Sequence, residues 1–138
     1  MDIYAYVDSS VMLRRLLRET NAIADLTQWR LFSSQLLEVE VRRTLLHFHV
    51  ERVLSAASFA KRLKEWNALH DSMDLIPISN GIMQRAAEPF PTQLKTLDAI
   101  HLATALGWIA QTQQPVTILT HDRQFGIAAS ACGFPVVP

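Results

Sequence analysis

In the segment IYAYVDSSVMLRRLL, residues 3–17, the pattern of apolar residues changes at Asp8, and this change indicates the fold class of the chain. The short apolar run IYAYV at 3–7 predicts a strand, and the helical pattern VMLRRLL follows directly after it. A similar junction lies near the other end, where the β-branched run VTILT at 116–120 leads through Asp122 into a helix. Strands that hand over directly to helices are typical of α/β proteins.

The rest of the chain continues the alternation of strands and helices. Three further apolar runs predict strands: RLFS at 30–33, DLIPI at 74–78 and FPVV at 134–137. Four segments carry helical patterns: 35–49, 55–70, 80–88 and 96–110. Because Pro77 cannot donate to a sheet ladder, DLIPI should lie at a strand end or a sheet edge. We predict a three-layer α/β/α sandwich with a mainly parallel central sheet of four to five strands, which binds ligands at the carboxyl ends of its strands.

Length and composition indicate one soluble, cytoplasmic domain over residues 1–138. Hydrophobic residues make up 49% of the chain, which favours a packed core over disorder. The single Cys132 excludes an internal disulfide, and the start MDIYAYVDSS has no basic and apolar signal regions. No apolar run approaches the roughly 20 residues that span a bilayer, so we expect no membrane association.

Four carboxylates, Asp8, Glu40, Asp98 and Asp122, stand out, although each has an ordinary explanation when taken alone. Asp8 and Asp122 stand where an N-cap would be, and Asp98 lies in the first turn of its helix, where the dipole favours a negative charge. Glu40 could form a weak surface ion pair with Arg43. Each of these roles explains a single acid and needs none of the others.

Their joint arrangement is harder to explain by local structure. Asp8, Asp98 and Asp122 lie at strand-to-helix junctions or helix starts, on the edge where α/β sheets bind ligands. Carboxylates brought together repel one another unless cations neutralise them, and oxygen ligands without His or Cys suit Mg²⁺ or Mn²⁺. The chemistry that such a site favours is phosphodiester hydrolysis.

Four segments resemble the PIN-domain ribonucleases of the VapC type. The most specific is LKTLDAIHLATAL at 94–106, and YVDSSVML at 6–13 resembles the family's opening strand. SSQLLEVEVRRTL at 33–45 and ILTHDRQFGIAASACGFPVV at 118–137 follow in the family's order. The resemblance therefore covers nearly the whole chain.

The resemblance implies a Mg²⁺- or Mn²⁺-dependent endoribonuclease that acts on RNA as the toxin of a toxin–antitoxin pair. It also implies inhibition by a VapB-type antitoxin and assembly as a homodimer. The implied catalytic and metal-binding residues are Asp8, Glu40, Asp98 and Asp122, with the small polar residues Ser10 and Thr120 beside them. Lys95 stands where many relatives have Arg, which keeps the charge and loses the bidentate fork.

Net charge and two alternatives qualify this hypothesis. With 13 basic and 13 acidic residues the chain has no net charge, whereas nucleic-acid binders usually carry a basic excess. Neutralising the four site carboxylates leaves a basic excess of four.

Two alternative functions remain open: a housekeeping PIN-type RNA-processing nuclease and a non-catalytic PIN-like RNA-binding module. Within the helix at 35–49, Glu38 and Glu40 point about 200° apart, and we assign Glu40 to the site; His101 we interpret as a packed core residue.

Overall fold

The strands of the chain form one parallel sheet in the computed structural model, which describes residues 3–23 and 25–138. Five strands lie within these residues: β1 (Tyr4–Val7), β2 (Arg30–Ser34), β3 (Asp74–Ile76), β4 (Val116–Leu119) and β5 (Val136–Val137). Their order across the sheet is β3-β2-β1-β4-β5, and each of these neighbouring pairs is parallel. The predicted α/β class with a parallel central sheet is therefore confirmed.

Helices cover both faces of the sheet. Within the described residues they are α1 (Ser9–Leu16), α2 (Leu36–Val50), α3 (Ala56–Asp71), α4 (Asn80–Ala86), α5 (Thr96–Thr112) and α6 (Arg123–Ala131). Successive strand residues point to opposite faces, so Ala5 and Val7 pack with α1, α2 and α3, whereas Tyr6 packs with α5 and α6. The two hydrophobic clusters that result lie between the sheet and the two helical layers of the predicted three-layer sandwich.

The spacing of apolar residues explains how the helices dock. In α2, Leu37, Val41 and Leu45 recur every fourth residue and are fully buried against the sheet. Trp66 of α3 is also fully buried in this layer. Helix α5 is apolar on most of its faces, and every residue from 99 to 105 is buried, as its pattern predicts. None of the helices in the described residues has the length and apolar character needed to cross a membrane.

The topology places one pair of strand ends at a switch point. The chain builds outward from β1 to β2 and β3 on one side and continues through β4 and β5 on the other. Strand β3 lies at the edge, as Pro77 predicts. In open α/β sheets ligands bind outside the carboxyl ends where the strand order reverses, here between β1 and β4. Asp8 directly follows β1, and Thr120 directly follows β4.

Candidate active site

Asp8 is a buried carboxylate held by two hydroxyl groups. It occupies the N-cap position of α1, which lies within the described residues 3–23. Its side chain nevertheless accepts no capping hydrogen bond from the backbone of that helix. Its Oδ1 instead accepts a hydrogen bond from the Ser10 hydroxyl at 2.5 Å, and its Oδ2 accepts one from Thr120 at 2.6 Å. Asp8 is only 4% exposed. The ordinary N-cap role that its position suggests is therefore absent.

Ser10 and Thr120 join the two strand ends. The backbone N–H of His121 donates to Ser10 Oγ at 2.9 Å, and that of Asp122 donates to Thr120 Oγ1 at 3.0 Å. The two hydroxyl oxygens lie 3.4 Å apart. Because each hydroxyl accepts from one junction and donates to Asp8, both of these predicted supporting residues lie beside a predicted site carboxylate.

Asp122 caps the last helix. Its Oδ1 accepts a hydrogen bond from the Phe125 N–H at 3.0 Å, which is the N-cap contact that the sequence pattern predicts. Its second carboxylate oxygen has no part in that cap contact, and a carboxylate oxygen has two lone pairs. Asp122 can therefore cap α6 and still contribute an oxygen to a site at the edge of the sheet.

Electrostatic effects link the four predicted carboxylates. Burial raises the pKa of Asp98, and the nearby charges of Asp122, Asp8 and Glu40 raise it further, against a lowering effect of His101. Burial likewise raises the pKa of Asp8; its hydroxyl hydrogen bonds and His101 act in the opposite direction, and Asp122 adds to the rise. The carboxylates are thus close enough to repel one another in a partly water-excluded site.

Glu40 and Glu38 face different surroundings, although they lie on the same helix. Glu40 Oε1 lies 2.5 Å from His101 Nε2, and Glu40 Oε2 lies 3.5 Å from the Ser9 hydroxyl. Glu38 pairs with Arg42 and accepts a hydrogen bond from Trp66 Nε1 at 2.8 Å. Only Glu40 therefore faces α1 and α5, while Glu38 faces α3.

His101 has polar contacts in this region that its sequence context does not predict. It is buried as expected, at 1% exposed, but hydrogen-bond partners contact both of its ring nitrogens. Nδ1 lies 2.5 Å from the Tyr6 hydroxyl, and Nε2 contacts Glu40. One signal was available: His101 follows Asp98 by three residues, which places the two on the same face of α5.

The site fits a divalent cation by its chemistry. Four carboxylates offer the hard oxygen ligands that Mg²⁺ and Mn²⁺ prefer, and a cation would oppose the repulsion and desolvation that raise the pKa of Asp98. Within residues 3–23 and 25–138, however, no three side chains of His, Cys, Asp or Glu are already arranged to hold a metal ion.

Comparison with known proteins first defines the class. The sequence profile of the PIN domain matches residues 5–130, which is most of the chain. A solved toxin-antitoxin complex from Klebsiella pneumoniae contains a chain with the same fold, at a TM-score of 0.66 and 20% sequence identity over 97% of this chain and 96% of that one. The chain belongs to the PIN domain family.

Within that family the similarity is to VapC proteins. Ribonuclease VapC35 of Mycobacterium tuberculosis is 34% identical over 140 residues, covering 98% of this chain and 95% of that protein. Ribonuclease VapC47 of the same organism is 27% identical over 130 residues, covering 94% and 92%. The resemblance to the VapC type that the sequence motifs indicate is thereby confirmed.

Proposed function

We propose that this chain is a Mg²⁺- or Mn²⁺-dependent endoribonuclease that hydrolyses RNA phosphodiester bonds in the cytoplasm as the toxin of a toxin–antitoxin pair. The observation that carries the proposal is Asp8, a carboxylate kept buried at the switch point without capping its helix. Burial raises the pKa of Asp8 although two hydroxyl groups donate to it, and a bound cation would offset this cost of the charged form. Near full-length similarity to proteins named Ribonuclease VapC gives RNA as the substrate.

The proposed division of labour follows from the contacts of each residue. Asp8, Glu40, Asp98 and Asp122 would hold the cations. When bound, a divalent cation supplies positive charge that stabilises the phosphate during in-line displacement and makes water easier to deprotonate. The hydroxyls of Ser10 and Thr120 orient Asp8, because they donate hydrogen bonds to its two oxygens in place of the backbone N–H groups of α1.

Basic residues near the carboxylates support RNA as the ligand. Exposed Arg43 lies three residues after Glu40, exposed Lys95 three before Asp98, and exposed Arg123 directly after Asp122. Lysine and arginine side chains that neutralise phosphates make nucleic-acid binding strongly dependent on salt. Zero net charge over the whole chain is therefore compatible with a locally basic rim around an acidic centre.

The partners are also part of the proposal. We propose that a VapB-type antitoxin inhibits the chain and that the chain assembles as a homodimer. Support for the antitoxin comes from the VapC similarity, and the solved relative that shares the fold belongs to a complex named as toxin-antitoxin.

A cleavage assay with matched variants tests the nuclease. We expect the chain to cut RNA with Mg²⁺ or Mn²⁺ and to lose this activity in excess EDTA or with Asp98→Asn, because the amide keeps the shape but loses the anionic ligand. Glu38→Gln on α2 should cleave at nearly the rate of the unsubstituted chain, since Glu38 faces Trp66. Cleavage by Asp98→Asn, or in EDTA, would contradict the metal mechanism. Binding of RNA without any cleavage would indicate a non-catalytic RNA-binding module.

Expression in cells tests the toxin. We expect growth to stop when the chain is produced, to continue when Asp98→Asn is produced at equal abundance, and to recover when a protein encoded by a neighbouring short reading frame is co-expressed. Normal growth of cells that contain abundant, active chain would favour a housekeeping RNA-processing nuclease.

A further inference from the structure

A buried hydrogen-bond network runs from the middle of the sheet to the candidate site. The Tyr6 hydroxyl lies 2.5 Å from His101 Nδ1, and His101 Nε2 lies 2.5 Å from Glu40 Oε1. Tyr6 is fully buried, and the side chain of Glu40 is 19% exposed. This hydrogen-bond network therefore begins in the core and ends at a carboxylate that solvent reaches.

This hydrogen-bond network connects three elements, each of which carries or directly precedes a proposed metal ligand. Tyr6 lies on β1, two residues before Asp8, and His101 lies on α5, three residues after Asp98. Glu40 lies on α2, in the helical layer on the other side of the sheet from α5. The imidazole thus bridges the two outer helical layers beside the candidate site.

The hydrogen positions follow from the partners. An ionised carboxylate only accepts hydrogen bonds, so Nε2 of His101 must carry the hydrogen that Glu40 accepts. Nδ1 is then free to accept from the Tyr6 hydroxyl. A tyrosine hydroxyl can donate this hydrogen bond across the 2.5 Å contact. One consistent arrangement results, in which each group donates toward the site.

We propose that His101 is a positioning residue that holds the Glu40 carboxylate for the cation site, and that Tyr6 sets the imidazole tautomer. A free glutamate side chain has three rotatable bonds, and fixing them before a ligand arrives removes an entropic loss from binding. Partners that orient a ligating carboxylate without touching the ion matter in many metal sites, where changing one typically weakens metal affinity 10- to 100-fold. The inference rests on the proposed function only for the role of Glu40 as a ligand.

Mn²⁺ binding to the full chain without RNA tests the positioning. Free Mn²⁺ is measured by electron paramagnetic resonance for the unsubstituted chain, His101→Leu, His101→Gln and Tyr6→Phe. We expect His101→Leu to weaken Mn²⁺ binding by roughly 10- to 100-fold and His101→Gln to recover part of it, because the glutamine amide can still donate to Glu40. Tyr6→Phe should weaken binding less than His101→Leu, because it leaves the bond to Glu40 in place.

Thr104→Val is the matched structural control. Thr104 is as buried as His101, lies one turn further along α5, and donates its hydroxyl hydrogen to the carbonyl of Ile100 at 2.7 Å. This substitution can lower the melting temperature and should leave the Mn²⁺ affinity unchanged. A purely structural role for His101 would give His101→Leu the same result as Thr104→Val.

Three results would overturn the inference: unchanged Mn²⁺ affinity in folded His101→Leu, no Mn²⁺ binding by the unsubstituted chain, or a hydrogen on Nδ1 in ¹⁵N spectra of the His101 ring. Tyr6→Phe keeps the inference testable if His101→Leu does not fold, because an unchanged tautomer and affinity there would also contradict it. Failure of the proposed function is distinguishable: Mn²⁺ binding that depends on His101, in a chain that cuts no RNA, would leave the positioning in place and remove the nuclease.

Discussion

The two junctions where the central strands β1 and β4 pass into helices use their aspartates differently. At the start of α1, Asp8 caps nothing and accepts hydrogen bonds from the hydroxyls of Ser10 and Thr120. At the start of α6, Asp122 accepts the N–H of Phe125 at 3.0 Å, as an N-cap does. Both aspartates follow a buried strand and precede a helix, so their sequence contexts are nearly the same.

The two aspartates contribute differently to the stability of the fold. Backbone donors and the helix dipole stabilise the Asp122 carboxylate, so this residue contributes to the fold whatever else it binds. Asp8 is nearly fully buried, and burial disfavours its charged form. The fold therefore gains from Asp122 and tolerates Asp8. This contrast agrees with the proposed role of Asp8 as a cation ligand.

The largest expected effect concerns RNA cleavage by the two asparagine variants. Asp8→Asn should lower kcat/KM about 10³-fold, which corresponds to about 4 kcal/mol of lost transition-state stabilisation. Asp122→Asn should lower it at least tenfold less, because charges act more strongly at the buried junction than at the more exposed one. Both rates are measured in Mn²⁺ under single-turnover conditions. Equal losses for the two variants would break the proposed difference between the junctions.

A smaller effect concerns the stability of α6. Asp122→Ala removes the acceptor for the Phe125 N–H and should lower the free energy of unfolding by about 1 kcal/mol, whereas Asp122→Asn should change it little because asparagine also caps well. Asp8→Asn should not show a cap loss. Urea denaturation in EDTA measures all three. A loss in Asp122→Asn as large as that in Asp122→Ala would mean that the contact stabilises through charge and not through capping.

Local sequence patterns were enough to predict the fold. Alternating apolar runs, the proline after β3 and the apolar faces of α5 reflect burial and backbone chemistry that act over a few residues. The four carboxylates could be proposed as a group because parallel strands end on one edge.

The contacts that distinguish the carboxylates were not predictable in this way. One of the two hydroxyls that donate to Asp8 belongs to Thr120, 112 residues away, and only the family resemblance placed it beside the site. The bond from Tyr6 to His101 spans 95 residues. His101 lies in a helix so apolar that its pattern hides a polar partner. Pairing across this distance depends on register and packing, which local periodicity does not encode.

The smallest expected difference concerns how stability depends on pH in EDTA, because the hydroxyl bonds and His101 offset part of the effect of burial on Asp8. A folded-state pKa raised above the unfolded value, near 3.9, means that the folded chain holds the proton more tightly. Asp8 therefore lowers stability as pH rises through its folded pKa. Asp8→Asn removes this loss, so the stability of this variant relative to the unsubstituted chain should increase from about pH 3.5 to 7.

Asp25→Asn is a control of opposite sign, because hydrogen bonds from Thr27 lower the pKa of exposed Asp25. Its relative stability should fall as pH rises from the lowered folded pKa of Asp25 to the unfolded value near 3.9, so this titration starts below about pH 3.5. A pH-independent difference for Asp8→Asn would show that the hydroxyls fully compensate burial, and that Asp8 is no less favourable to the fold than Asp122.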